Sequence, residues 1–175
     1  MKKSTLSAGF CLLALAGTTA MAALSEPVKV NGIYYQVTGE NTCRVMPDAP
    51  EGPTTNSYEG NIIVPSTVEI DGKTYKVNEI GKDAFSHCWD LTGVTLPPTI
   101  ERLDSNAFAS SRGITSMTLP ASLRVIESNA FGFSGLRTLT IEEGLDSIGY
   151  GGLGYLNSFA DTLRLPASLR AMSPA

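Results

Sequence analysis

Histidine and tryptophan occur once each in this 175-residue chain, at His87 and Trp89, and cysteine only three times. A zinc site needs about three or four protein ligands, so the chain implies no metal and no cofactor. Nor can so few thiols form the disulfide framework that staples small secreted domains. Basic side chains are also scarce, 13 Lys and Arg against 17 Asp and Glu. Scattered positive charge on an acidic chain cannot neutralise a run of phosphates, which argues against a nucleic-acid partner. Long apolar runs are missing too. The run Phe10–Ala16 falls far short of the roughly 20 residues that cross a bilayer. What remains is a chain 42% apolar, long enough to bury one core as a single domain.

The first residues are set aside before any fold argument. Met1-Lys2-Lys3 is a short basic start, Phe10–Ala16 an apolar core, and Thr18-Thr19-Ala20-Met21-Ala22 a small-residue cleavage site. That order reads as a secretory signal peptide over residues 1–22, which places the protein in the periplasm, on the cell surface or in the medium. Cys11 has no lipobox before it, so a lipid anchor is not expected. Cleavage removes two lysines and no acids, leaving 11 basic against 17 acidic side chains and a formal charge of −6. Cys43 and Cys88 remain, and export permits either a bridge between them or two buried thiols.

The rest of the chain is organised by a repeat. Ile80-Gly-Lys-Asp-Ala84-Phe85 leads through Cys88 and Leu91 to Val94-Thr95-Leu96-Pro97. Leu103, Ala107-Phe108, Ile114 and Met117-Thr118-Leu119-Pro120 repeat it, followed by Ile126, Ala130-Phe131, Leu136 and Leu139-Thr140-Ile141. A looser fourth copy has Ile148, Leu153, Phe159 and Leu163-Arg164-Leu165-Pro166. The openers Ile80, Leu103, Ile126 and Ile148 stand 23, 23 and 22 residues apart, and Phe85, Phe108, Phe131 and Leu153 keep the same intervals. A period in this range marks stacked units, each unable to bury its apolar face alone. Each Val-Thr-Leu type triplet alternates, so it reads as a short strand with its apolar members inward. Stacked at about 4.8 Å, these strands make a narrow parallel sheet on one face. The Ala-Phe stretch is expected to form a single helical or 3₁₀ turn.

Residues 23–76 precede the clean repeats and 77–172 hold them, with 173–175 as a tail. Val28–Val37 with its Asn31-Gly32 turn, Thr42–Met46, and Asp71-Gly72 leading into Lys73–Val77 read as hairpin strands that cap one end of the stack. Asn61–Pro65 already carries the strand-then-proline signature, and residues 47–57, with three prolines, read as a surface loop.

The pattern Ile-Gly-x-x-Ala-Phe-x-x-Cys-x-x-Leu-x-x-Val-x-Leu-Pro of Ile80–Pro97 resembles the BspA-like leucine-rich repeats, and the likeness extends over residues 60–172. The cap strings Gly32-Ile-Tyr-Tyr and Asp71-Gly-Lys-Thr-Tyr are similar to that family's N-terminal region. The resemblance implies an α/β solenoid, a right-handed leucine-rich-repeat coil of about four units with a β-hairpin cap. It also implies an exported protein of a host-associated bacterium, linked to adhesion or protein binding and bringing no catalytic residues.

Three strings invite chemistry. Gly149-Tyr-Gly151-Gly152-Leu-Gly154 matches the dinucleotide fingerprint, which needs a strand before it, a helix after it and an acid about 20 residues on. Here it fills the Ala-Phe slot and no acid follows, so the glycines read as easing a coil turn. His87, Cys88 and Asp90 are too close along one turn to converge on a point. Glu142, Glu143 and Asp146 read as a solvated turn.

The outward strand positions are better candidates. Ser116, Thr138 and Thr162 follow Gly93 in one column, while Thr95, Thr118, Thr140 and Arg164 make the next, with Arg137 beside them. Thr is a natural filler of exposed strand positions, yet a flat polar ladder is also a ready contact surface. Trp89 and Asp90 are the expected anchor at its edge. The expectation is therefore a non-enzymatic module that binds a protein or other extracellular macromolecule through this face. The alternative is an assembly unit that self-associates through an open C-terminal coil, where Met172 stands in the opener's place.

Overall fold

The computed structural model of the protein describes residues 25–48, 56–156 and 163–173. The signal-peptide segment, most of the proline-rich loop, Phe159 and Thr162 lie outside the described residues. In chain order the strands are β1 (Val28–Val30), β2 (Ile33–Val37), β3 (Thr42–Met46), β4 (Gly60–Ile63), β5 (Thr67–Ile70), β6 (Lys73–Ile80) and β7 (Leu91–Thr95). They continue as β8 (Arg102–Leu103), β9 (Ser116–Leu119), β10 (Val125–Ile126), β11 (Thr138–Ile141), β12 (Ser147–Ile148) and β13 (Ala171–Met172).

The hairpins form where the Asn-Gly and Asp-Gly pairs place them. Asn31 and Gly32 have φ of 49° and 87°, and Asp71 and Gly72 have 51° and 77°. Two successive positive φ values define the tight turn whose twist matches antiparallel strands, and Asn, Asp and Gly tolerate them best. Val30 accordingly faces Ile33 across β1–β2, and Ile70 faces Lys73 across β5–β6.

The openers do more than the periodicity indicates. Read from sequence they are core anchors only, but Ile80, Leu103, Ile126, Ile148 and Met172 lie in register on parallel strands. These short strands continue the N-terminal hairpins into one nine-stranded sheet, in the order β1-β2-β3-β6-β8-β10-β12-β13 with β5 beside β6. The expected strip of four triplet strands is instead two parallel pairs, β4 with β7 and β9 with β11. Leu163–Leu165 forms no strand, and Leu165 is 41% exposed where the alternation places it inward. What ties this last unit to its predecessor is the turn after Pro166: Ser168 Oγ donates to the Leu145 carbonyl and accepts from the Gly144 N–H, both at 2.9 Å.

The expected helical turn is absent, and no described residue is helical. Each Ala-Phe stretch holds two residues in the left-handed region. Asp83, Asn106, Asn129 and Gly151 share one position with φ of 54–61°, and His87, Ser110, Phe133 and Tyr155 share the other with φ of 57–59°. A left-handed residue every fourth position breaks the right-handed path of a helix. It also divides the backbone donors. Ala84 and Ser86 donate back to Gly81 and Asp83, while Phe85 and His87 donate across to Ala107 and Ala109, both at 2.8 Å. Phe108 and Ser110 do the same to Ala130 and Gly132, at 2.7 and 2.8 Å. A helix would spend all its donors internally; this turn keeps alternate ones for the next repeat.

Between the faces runs an aromatic stack. Phe85 and Phe108 lie 5.4 Å apart, and Phe108 and Phe131 5.3 Å apart and nearly parallel, all three buried. Tyr58, just after the proline-rich loop and given no role by the sequence reading, heads the stack with its ring 5.2 Å from Phe85 and tilted by 54°. Its hydroxyl donates to the Met46 carbonyl and accepts from the Tyr34 N–H, both at 2.9 Å, so the buried oxygen is satisfied. Phe108 packs against rings on both sides, and Phe108→Ala is expected to cost about 3–5 kcal/mol in urea unfolding. Asn106→Gly should change stability little, whereas Asn106→Val should cost about 1–2 kcal/mol through its left-handed backbone.

Candidate functional site

The triplet strands carry their hydroxyls outward because their apolar residues are claimed by the core. Met117, Leu119 and Leu139 are buried, while Ser116, Thr118, Thr138 and Thr140 are exposed. Register pairs Ser116 with Thr138 and Thr118 with Thr140, as the repeat spacing predicts. In the other pair Asn61 faces Gly93 and Ile63 faces Thr95. A shallow groove of about 660 Å³ runs across both pairs, lined by Thr95, Ser116, Thr118, Thr138 and Thr140 together with Asn61, Thr92 and Glu142. A Cβ at Gly93 would sit 2.6 Å from Asn61 Oδ1, so glycine there leaves the asparagine its place.

Five of the eight expected residues therefore share one surface. Arg137 does not: it lines a separate hollow with Arg112, Phe133 and Tyr155. Arg164 is exposed on the stretch that forms no strand, and Thr162 lies outside the described residues. Trp89 is 63% exposed and Asp90 is exposed beside it. The Asp90 carbonyl accepts from the Gly60 N–H at 2.9 Å, which sets this turn against β4. Sequence reasoning missed Ile63, 68% exposed in the Thr95 column, and the exposed rings of Phe133, Tyr150 and Tyr155. The sequence carried no simple signal for the rings: alternation from Phe131 and Leu153 would place Phe133 and Tyr155 on the inward side, and it is their left-handed backbone, φ 57° and 58°, that departs from it.

The other strings are absorbed by the scaffold. Gly151 occupies the left-handed position that Asn or Asp fills elsewhere, and Phe131 donates to the Gly152 carbonyl at 3.1 Å as Phe108 does to Ala130. The glycine string is a repeat turn, and none of the described residues after it is helical. His87 Nδ1 lies 2.7 Å from Ser86 Oγ, Cys88 is fully buried and Asp90 is exposed, so the three do not meet. Among the described residues no three His, Cys, Asp or Glu are grouped to hold a metal ion. The acids clamp repeats: Glu142 accepts from Ala121 N–H at 2.9 Å, and Glu143 from the N–H groups of Ala167 and Ser168 at 3.0 and 3.1 Å. Those two donors hold the Glu143 carboxyl below its ordinary range.

A stack of in-register parallel strands, leucine-type anchors and an outward polar ladder defines a leucine-rich-repeat protein, without helices among the described residues. The family model described as BspA type leucine rich repeat region matches residues 64–173 in six copies, and the chain belongs to that family. The match begins in the strand-proline segment ahead of Ile80 and ends beyond Met172, with six copies where the sequence reading counts about four units. A leucine-rich repeat protein of T. pallidum, TpLRR, superposes with a TM-score of 0.68 at 23% identity over 84% of this chain. One from Bacteroides ovatus gives 0.68 at 21% identity over 83%. The pneumococcal vaccine antigen PcpA gives 0.51 at 20% over 86% of this chain and 50% of its own. The chain spans 64% of the T. pallidum protein and 37% of the B. ovatus protein. At these identities the likeness is one of fold. No curated sequence matches the chain significantly.

Both described thiols are free and fully buried. Burial pushes Cys43 up to about 11 and Cys88 to about 12 from an ordinary value of 9.0. Neither should react with iodoacetamide at pH 8 until the chain unfolds, as peptide mass mapping would report. An acid whose pKa is raised by folding keeps its proton in the native state after the unfolded state has lost it. The urea midpoint should therefore hold below pH 9 and fall as pH rises from there towards 11.

Proposed function

We propose that this chain is an exported, non-enzymatic binding module, a right-handed solenoid capped by its N-terminal hairpins. It engages a protein or other extracellular macromolecule through the groove across β4, β7, β9 and β11. Residues 1–22 would direct export, 23–76 form the cap and first strand, 77–172 the repeats and 173–175 a tail. That the pneumococcal relative in fold is described as a vaccine antigen accords with a place outside the cell.

The observation that carries the reading is the groove itself. It presents seven hydroxyl or amide side chains over about 660 Å³, on strands whose inward residues lock them in place. A surface held rigid before contact loses little conformational entropy on binding, so modest polar contacts suffice. Thr side chains are short and β-branched, which limits that cost further. Arg137 and Arg164 belong to this proposal as flanking contacts, and Trp89 as an edge anchor.

The test is capture from extracellular-matrix extract on the immobilised protein, with Thr118, Thr140 and Arg164 changed together to Glu. Ligand capture should fall about tenfold while the melting temperature stays within a few degrees. Unchanged capture would sink the groove as the contact surface.

A second reading rests on β13. Met172 is 60% exposed in register with Ile148, so this parallel edge could stack on a second copy. That reading expects concentration-dependent dimers in sedimentation, abolished by Met172→Asp.

A further inference from the structure

Beside the groove, where the repeat turns meet the β9–β11 pair, lies a hollow of about 330 Å³. Arg112, Arg137, Thr115, Ser134, Phe133 and Tyr155 line it. We propose that this hollow binds a carboxylated sugar, a uronic or sialic acid unit of a glycan. The proposal does not rest on the groove reading.

Three independent observations point there. The first is charge. Arg44, Arg102 and Arg170 each have a carboxylate within 4 Å, at 3.6, 2.8 and 3.9 Å. Arg112 and Arg137 have no such partner among the described residues, although the chain as a whole is acidic. Two unpaired guanidinium groups at one hollow favour an anion, and their planar fork matches a carboxylate bidentately.

The second is aromatic. The rings of Phe133 and Tyr155 stack 4.5 Å apart at 11°, yet are 52% and 51% exposed. Both sit on left-handed backbone, φ 57° and 58°, in a column that holds His87 and Ser110 in earlier repeats. A bulky ring at positive φ is disfavoured, and these two are not buried in the core. What they offer is a flat apolar wall. A pyranose presents a flat face of C–H groups to such a wall, which an acidic peptide side chain does not.

The third is an orphan. Ser134 is 6% exposed, and its Oγ is buried without a hydrogen-bond partner. At the same position one repeat earlier, Ser111 Oγ accepts from Cys88 N–H at 3.3 Å and donates to the Phe85 carbonyl. The fold can satisfy this hydroxyl and at Ser134, one of the residues lining the hollow, does not. Sugar hydroxyls, each donor and acceptor, suit the exposed Thr115 and the Tyr155 phenol together. The hollow holds one ring-sized unit, at the small end of ligand sites.

The test is calorimetric titration of the full chain with sialyllactose and with digalacturonic acid. Lactose, inorganic sulfate and hexaglutamate serve as comparisons. At least one acidic sugar should bind, more tightly than the three comparisons. Arg112→Gln and Phe133→Asn should each weaken it about tenfold or more. Asn suits the left-handed backbone at 133, and Arg112 is exposed, so both variants should keep the wild-type melting curve. Thr118→Glu with Thr140→Glu should leave sugar affinity unchanged, which separates this site from the groove. The proposal is overturned if neither acidic sugar binds, or if Arg112→Gln binds as the wild type does. Equal affinity for lactose would remove the role of charge. Sulfate or hexaglutamate binding as tightly as the sugars would mean a simple anion or acidic-peptide site and would overturn it equally.

Discussion

Everything in this chain depends on each repeat giving alternate backbone donors to the next. The left-handed residues at Asp83 and His87, and their counterparts one and two repeats later, make that division. With right-handed φ at those positions the Ala-Phe segment would close on itself as a helix turn, and the phenylalanines would lose their regular offset. With it, Phe85, Phe108 and Phe131 are held 5.3–5.4 Å apart, near the spacing of paired strands. The same translation fixes the hydroxyl register on β9 and β11. One constraint therefore sets the core, the short parallel strands and the outer polar ladder together.

The constraint also explains why polar residues here are mostly structural. Thr99, Ser122 and Ser168 hold one position after the strand-ending prolines, and each donates to a carbonyl of the preceding repeat, at 2.7, 2.6 and 2.9 Å. The carbonyls of Pro97, Pro120 and Pro166 accept from Ile100, Leu123 and Leu169 and close the same turn each time. Glycine serves where backbones approach: a Cβ on Gly113 or Gly135 would collide with the carbonyl of Leu91 or Arg112 in the preceding repeat. Glu142 and Glu143 are clamps of the same kind. Phe133, Tyr155 and Ser134 depart from this shared pattern, since two exposed rings and an unpartnered hydroxyl stand where other repeats have none.

The period was legible because three apolar anchors recur in phase, and no other architecture needs that. The hairpins were legible because Asn-Gly and Asp-Gly carry their turn geometry in two residues. The second sheet was not, since a two-residue strand such as Arg102–Leu103 has no alternation to read. The helical expectation failed because Asn and Asp at the fourth position signal a left-handed break only when the neighbouring repeat is there to take the freed donors. Tyr58 belongs to no repeat pattern and was not legible: its place above Phe85 depends on Met46 and Tyr34, away in sequence. Five of the expected contact residues share the groove because strand alternation alone positions them. Arg137 fell elsewhere because it stands in the turn just before β11, where the strand's alternation has not yet started.

The two surfaces differ in a way that bears on what each can bind. The groove is broad, shallow and uncharged apart from Glu142 at its rim, with its side chains short and fixed. Such a surface gains from area and shape, which suits a macromolecule and gives a small ligand little to hold. The hollow is half the volume and concentrates two cations, two rings and an unsatisfied hydroxyl. Convergent groups of that density give affinity to a single small unit, because each contact is directional and several are desolvated together. Repetition made the first surface by copying one hydroxyl position along the stack. The second arises where the copies stop matching, and specificity in a repeat protein has to come from such departures.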